Sequence, residues 1–135
     1  MPDPIRVILV DDQSLVRSGF RMLIESEDDM EVVSEASNGL EALDVLRRMP
    51  VDVALMDIRM PQMDGVEATR RITASPLDTK VLILTTFDLD EYVYAALKAG
   101  ASGFLLKDAR PTELLSAIRN VADGDFGVPP WAPRR

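Results

Sequence analysis

Residues 5–12 read IRVILVDD, a run that is apolar except for Arg6 and ends abruptly in two acids. Runs of the same kind recur at 51–56 (VDVALM) and 81–85 (VLILT). A strand with one solvated face alternates apolar and polar residues, whereas one covered on both faces reads as nearly continuous apolar sequence. These three segments therefore predict interior strands of a parallel sheet. Two weaker segments complete the set: Met30–Ala36 (MEVVSEA) is more polar and suits a sheet edge, and Gly103–Leu106 (GFLL) is short and suits the other.

Helical spacing fills the intervals between them. Val16, Phe20, Leu23 and Ile24 form one apolar stripe, and Leu114, Leu115, Ile118, Val121 and Ala122 form another. Asn38 with Glu41, Asp64 with Glu67, and Asp88 with Glu91 each set a capping residue three positions before an acid, a helix-start pattern. Gly100 is placed to stop the fourth helix, and Pro111 fits the first turn of the fifth. A strand–helix pair thus recurs five times. Right-handed crossovers and polar edges favour an α/β doubly wound, five-stranded parallel sheet of order 2-1-3-4-5. Periodicity ends after Asp123; residues 124–135 (GDFGVPPWAPRR) carry three of the nine prolines and read as a tail or linker.

The composition narrows the chemistry. At 135 residues, with 47% hydrophobic and 28% charged residues, the chain has the size and balance of one globular domain. No apolar run approaches the ~20 residues that span a bilayer, and the first residues lack a secretory signal, so the expected location is cytoplasmic and away from membranes. Without cysteine there is neither a disulfide nor a thiolate metal site; without histidine, Ser-His and Cys-His catalysis and imidazole ligation are excluded. The net charge of −8 opposes a phosphate backbone, so this chain by itself is not expected to bind nucleic acid. A carboxylate-rich chain suits hard cations such as Mg²⁺.

Ligands of an open parallel sheet sit beyond the carboxyl ends of its strands. At those ends stand Asp11 and Asp12, Asp57, Thr85 and Lys107. Each has an ordinary explanation alone: helix-leading acids, a turn acid, a common strand residue, a solvated edge lysine. The fold, however, would gather them into one mouth. Three carboxylates at close range repel, and one divalent cation plus one lysine would balance them. In such a site Asp57 can serve as a nucleophile toward phosphorus, with Thr85, Lys107 and the cation binding the phosphoryl oxygens.

The segments VILVDDQSLVR, VALMDIRMPQMDGVEATRRI, VLILTTFD and ALKAGASGFLLKD, in that order, resemble the receiver domain of bacterial two-component response regulators, over roughly residues 5–123. The resemblance is greatest to the NarL/LuxR subfamily, whose receivers precede a helix-turn-helix output domain. It implies a flavodoxin-like receiver fold over 1–123, with 124–135 as the start of an interdomain linker. It implies that Asp57 accepts a phosphoryl group from a sensor histidine kinase in a Mg²⁺-dependent reaction. Asp11 and Asp12 would be the acidic metal pair, with Asp57 and the backbone carbonyl of Arg59 as further ligands. Thr85 would be the switch hydroxyl, Lys107 the phosphate counter-ion and Phe104 the switch aromatic. Such a domain is not an enzyme beyond its own phosphoryl transfer and loss. Phosphorylation would promote a homodimer, and DNA binding would belong to the helix-turn-helix domain, which does not follow within these residues.

Some positions depart from the common pattern. Asp108 follows Lys107 where many receivers carry proline, so a cis peptide is not expected there. Phe104 lacks the hydroxyl of the commoner tyrosine. Two residues after Asp57 and Thr85 stand Arg59 and Phe87, side chains expected to crowd water away from an acyl phosphate. Phosphatases of the haloacid dehalogenase type also use an aspartate nucleophile, but they place a second acid two residues after it, where this chain has Arg59. A pseudo-receiver that is never phosphorylated would not need all five site residues.

Overall fold

The computed structural model describes residues 3–86 and 91–124. Its elements alternate from end to end: β1 (Ile5–Val10), α1 (Ser14–Glu25), β2 (Met30–Ala36), α2 (Gly39–Arg48), β3 (Val53–Asp57), α3 (Gly65–Thr73), β4 (Lys80–Thr85), α4 (Glu91–Lys98), β5 (Gly103–Leu106) and α5 (Pro111–Ala122). The strands form one parallel sheet of order β2-β1-β3-β4-β5. The expected doubly wound architecture is therefore the observed one, with the polar strand β2 and the short β5 at its edges.

The two-residue period of the strands divides the core in two. Ile8, Val10, Ala54, Met56, Val81 and Ile83 face α2, α3 and α4, packing with Ala42, Leu46, Val66, Ile72, Val93 and Ala96. Val7, Leu9, Val53, Leu55, Leu82 and Leu84 face the other way, onto Ile24 of α1 and Leu114, Ile118 and Val121 of α5. Both sheet faces are thus dry, which explains the lack of alternation in IRVILV and VLILT. The third strand is shifted from the expected 51–56. Residues 51 and 52 lie outside it, and Asp57, expected just beyond the strand, is its last residue, paired with Leu84. The apolar run marks what is buried, including Val51, whereas strand limits follow hydrogen bonding to β1 and β4.

Helix starts follow the caps read from sequence. The Asn38 side chain accepts from the Glu41 amide at 3.0 Å, and Asp64 accepts from the Glu67 amide at 2.9 Å. Pro111 opens α5, and Gly100 follows α4 with φ +110°. Its extra freedom is needed, because a Cβ there would meet the Thr73 side chain at 2.5 Å. The proposed Asp88 cap and the tail from 125 onward lie outside the described residues. Among the described residues no helix is long and apolar enough to cross a membrane.

Ion pairs clasp α1 to the edge strand and α5 to the turn that precedes it. Glu35 of β2 takes Arg17 at 2.7 Å and Arg21 at 2.8 Å, and Arg119 of α5 reaches Asp29 and Glu27, each at 2.7 Å. Burial pushes the Glu35 carboxyl up, but the two arginines outweigh it and hold the group below its usual range. The bond from Arg119 holds Asp29 down likewise. A carboxyl that releases its proton more readily when folded stabilises the fold above its unfolded pKa of ~4 and loses that contribution as pH falls. Partly exposed pairs of this kind contribute about 0.2–1 kcal/mol each. Urea unfolding at pH 6 and pH 3.5 should therefore show a smaller acid-induced loss in Glu35→Gln than in the wild type; equal losses would mean that this pair does not contribute.

Candidate functional site

The site is built where β1, β3, β4 and β5 end. Asp11 follows β1 directly, Asp57 ends β3, Thr85 ends β4 and Lys107 follows β5. Parallel pairing puts these ends side by side, although Asp11 and Lys107 are 96 residues apart in sequence. The Lys107 ammonium lies 3.2 Å from an oxygen of Asp57 and 3.2 Å from an oxygen of Asp11. Asp11, Asp57 and Thr85 are buried, while Asp12 is exposed at the rim. Carboxylate oxygens of Asp11, Asp12 and Asp57 all come within 4.8 Å of one another. All five strand-end residues singled out in the sequence thus share one mouth, a cavity of about 300 Å³ that Asp12, Asp57, Arg59, Thr85 and Lys107 help to line.

Neither acid of the 11–12 pair caps α1. That helix begins at Ser14 after Gln13, and its first turn contains no acid. The loop is instead held open toward the cavity. The Gln13 amide donates to an Asp11 carboxylate oxygen at 2.9 Å, and Arg17 donates to the Asp11 carbonyl at 2.5 Å. Since Arg17 is also paired with Glu35, a connection runs from edge strand to acidic loop. On the other side, the Ile58 amide donates to the Asp57 carboxylate at 2.9 Å, and the Gly65 amide donates to the Ile58 carbonyl at 2.7 Å. A Cβ on Gly65 would stand 2.2 Å from the Asp57 carbonyl oxygen, so only glycine permits this close return of α3 onto the end of β3. Arg17 and Gly65 were not singled out in the sequence. Gly65 had a signal, the MDG turn before a helix, whereas the role of Arg17 depends on which way its helix face turns.

The charges are unbalanced by design of the pocket. Burial raises the Asp57 carboxyl above the usual range and the neighbouring Asp11 charge raises it further, with Lys107 and the Ile58 amide opposing. Burial lowers the Lys107 ammonium, but Asp57 and Asp11 outweigh it and hold the group above its ordinary value, so the lysine stays charged. Three carboxylates face one ammonium, an excess of negative charge presented on oxygen atoms alone. That donor set fits a hard divalent cation and offers nothing to a soft one.

A model of the response regulator receiver domain matches residues 7–119. The chain is a member of that family. It is 48% identical over 123 residues to the transcriptional regulatory protein YxjL of Bacillus subtilis, covering 91% of this chain and 56% of that protein. It is 42% identical over 127 residues to the oxygen regulatory protein NreC of Staphylococcus carnosus, covering 93% and 58%. The chain thus spans a little over half the length of these curated relatives. Among solved structures it resembles the signal receiver domain of the response regulator NarL from Mycobacterium tuberculosis, with a TM-score of 0.87 at 39% identity, covering 91% of this chain and 99% of that one. A LuxR-family two-component response regulator from Aurantimonas matches with a TM-score of 0.87 at 36% identity, covering 95% and 91%. The receiver is therefore of the NarL/LuxR type. Phe87, expected to flank the site, lies outside the described residues. Phe104 is half-buried against the core beside Ile83, its partner in the sheet.

The raised Asp57 carboxyl has a consequence for stability. A carboxylate that ionises less readily when folded opposes folding at neutral pH, so removing its charge should stabilise the metal-free receiver. Asp57→Asn, which keeps an oxygen for the Ile58 amide, should gain on the order of 1 kcal/mol in urea unfolding at pH 7 in the presence of EDTA. A loss of stability would show that the Lys107 pairing, rather than the repulsion, dominates.

Proposed function

We propose that Asp57 is the phosphoacceptor of this receiver and that the transfer is Mg²⁺-dependent. The observation that carries the reading is the convergence of three carboxylates within 4.8 Å around the end of β3, with Lys107 bridging Asp57 and Asp11. The carboxylates of Asp11, Asp12 and Asp57 and the backbone carbonyl of Arg59 are the groups to hold the metal. Bound there, Mg²⁺ supplies positive charge to the phosphoryl oxygens.

The chain's own residues do the rest. An Asp57 carboxylate oxygen attacks phosphorus, a P–O bond forms while the donor's P–N bond breaks, and the departing imidazole of a sensor histidine kinase is protonated at that nitrogen. Little covalent work is required of the protein, so positioning and charge dominate. The Ile58 amide and Gly65 hold the acceptor still, and the Lys107 ammonium turns from Asp57 toward the new phosphoryl oxygens. The Thr85 hydroxyl then binds another of those oxygens. Thr85 lies one pleat beyond Ile83 on the same strand, so its inward movement vacates space for Phe104 on β5. This carries the signal to the surface of α4, β5 and α5, where two copies associate; α1 with α5 is the rival face. Coupling of about 1–3 kcal/mol is enough to shift a weak dimer equilibrium.

Residues 1–123 act as the receiver unit in this reading, with 124–135 leading out of it. The names of the relatives point to transcriptional regulation as the output, through a helix-turn-helix DNA-binding domain rather than this acidic unit.

Intact-mass spectrometry after incubation with acetyl phosphate and Mg²⁺ should show one added phosphoryl group, abolished by EDTA and absent in Asp57→Asn. Lys107→Ala should slow labelling by on the order of 100-fold. Labelling that persists in Asp57→Asn would overturn the assignment. Calorimetry should find Mg²⁺ binding weakened at least about tenfold in Asp12→Ala. Sedimentation with beryllofluoride should show a heavier species than without it, a difference lost in Thr85→Ala.

A further inference from the structure

Asp11 is gripped at each of its polar groups. Its amide donates to the Ala36 carbonyl of β2 at 3.0 Å. One carboxylate oxygen accepts from the Gln13 amide at 2.9 Å, and the other faces the Lys107 ammonium at 3.2 Å. The remaining group, the backbone carbonyl, accepts from the Arg17 guanidinium at 2.5 Å. That carbonyl belongs to the peptide that joins Asp11 to Asp12. A peptide group is planar, so a hold on its oxygen also fixes the direction in which Asp12 leaves it. One side chain of α1 thereby acts on both acids of the pair.

Arg17 is itself held. Its Nε donates to Glu35 at 2.7 Å while Nη1 reaches Asp11, so one rigid plane spans β2 and the β1–α1 loop. A lysine, with a single nitrogen, cannot hold both acceptors in this geometry. The Arg17 side chain is 18% exposed, and a charged donor withdrawn from water binds a carbonyl more firmly than a neutral one. Arg17 is not among the residues that line the mouth, whereas Asp12 and Gln13 are. It acts from behind the loop.

Arg21, one turn further along α1, supplies an internal comparison. It carries the same charge and takes the other Glu35 oxygen at 2.8 Å, but its remaining bonds go to Glu25 and not to the acidic loop.

We propose that Arg17 is a positioning residue of the metal site: braced on Glu35, it pins the peptide between Asp11 and Asp12 and so sets both acids toward the mouth they share with Asp57. Arg17 touches neither the metal nor the phosphoryl group in this arrangement. The inference rests on the Mg²⁺ reading above and adds to it a residue outside the cavity.

Calorimetry with Mg²⁺ on the wild type, Arg17→Met and Arg21→Met tests it. Affinity should fall roughly tenfold in Arg17→Met, as for loss of a group that orients a metal ligand, and stay within about twofold of the wild type in Arg21→Met. The direction is informative, because removing a positive charge near a cation site would by itself tighten binding. In EDTA the Asp12 and Gln13 amide resonances should shift in Arg17→Met and hold their places in Arg21→Met. Labelling by acetyl phosphate should slow in Arg17→Met at limiting Mg²⁺ and recover at saturating Mg²⁺. If Arg17→Met fails to fold, Arg17→Lys goes through the same measurements and should also bind Mg²⁺ more weakly than the wild type. Unchanged or tighter binding without Arg17, an equal loss in Arg21→Met, unmoved amides, or slow labelling that saturating Mg²⁺ does not restore would each overturn the role of Arg17 alone. Absence of Mg²⁺ binding in the wild type would overturn the metal reading and this inference with it.

Discussion

Lys107 stands 3.2 Å from oxygens of both Asp57 and Asp11, and the charge balance of the site depends on that shared contact. Two carboxylates buried in one pocket repel each other and are costly to keep away from water. One ammonium offsets only part of this cost, so the pocket keeps a standing demand for positive charge. The demand fits a hard cation better than a soft one, and it goes with the way the loops around the site are braced. A lysine suits the position better than an arginine, because a compact point charge can turn from one oxygen to another without breaking a fixed fork.

The bracing comes from polar contacts that the apolar core leaves room for. The two-faced sheet supplies rigidity, with Val7, Leu9, Val53 and Leu55 on one side and Ile8, Val10, Ala54 and Met56 on the other. Its strands end together, so every loop at that edge starts from a fixed point. From there Arg17 holds the Asp11 carbonyl, Ile58 holds the Asp57 carboxylate and Gly65 returns α3 against the end of β3. The site is rigid on the β1 and β3 side. On the α4 side, Val93 and Ala96 seat the helix on the core, and the Arg59 guanidinium lies 4.9 Å from the centre of the Tyr92 ring.

Much of this was legible in the residues. Continuous apolar runs identified the interior strands, because both faces of a doubly wound sheet are covered, and the caps at Asn38 and Asp64 formed as their spacing requires. Strand-end position alone picked out Asp11, Asp12, Asp57, Thr85 and Lys107, since a parallel sheet presents its ligands at one edge. The limits of β3 were less legible: burial extends back to Val51, but pairing begins at Val53 and continues through Asp57.

The sequence by itself determined the element order, the strand order by way of crossover handedness, and the chemical inventory of the site, because these depend on local patterns and on which residue types are present. Only the tertiary structure decided which atoms meet. Lys107 bridges Asp11 across 96 residues, Arg17 turns inward to the Asp11 carbonyl while Arg59 turns outward to Tyr92, and Gly65 touches the Asp57 backbone. Such contacts depend on side-chain direction and on approaches of a few ångströms between separate elements. No local pattern carries that information; it exists only once the helices are seated on the sheet.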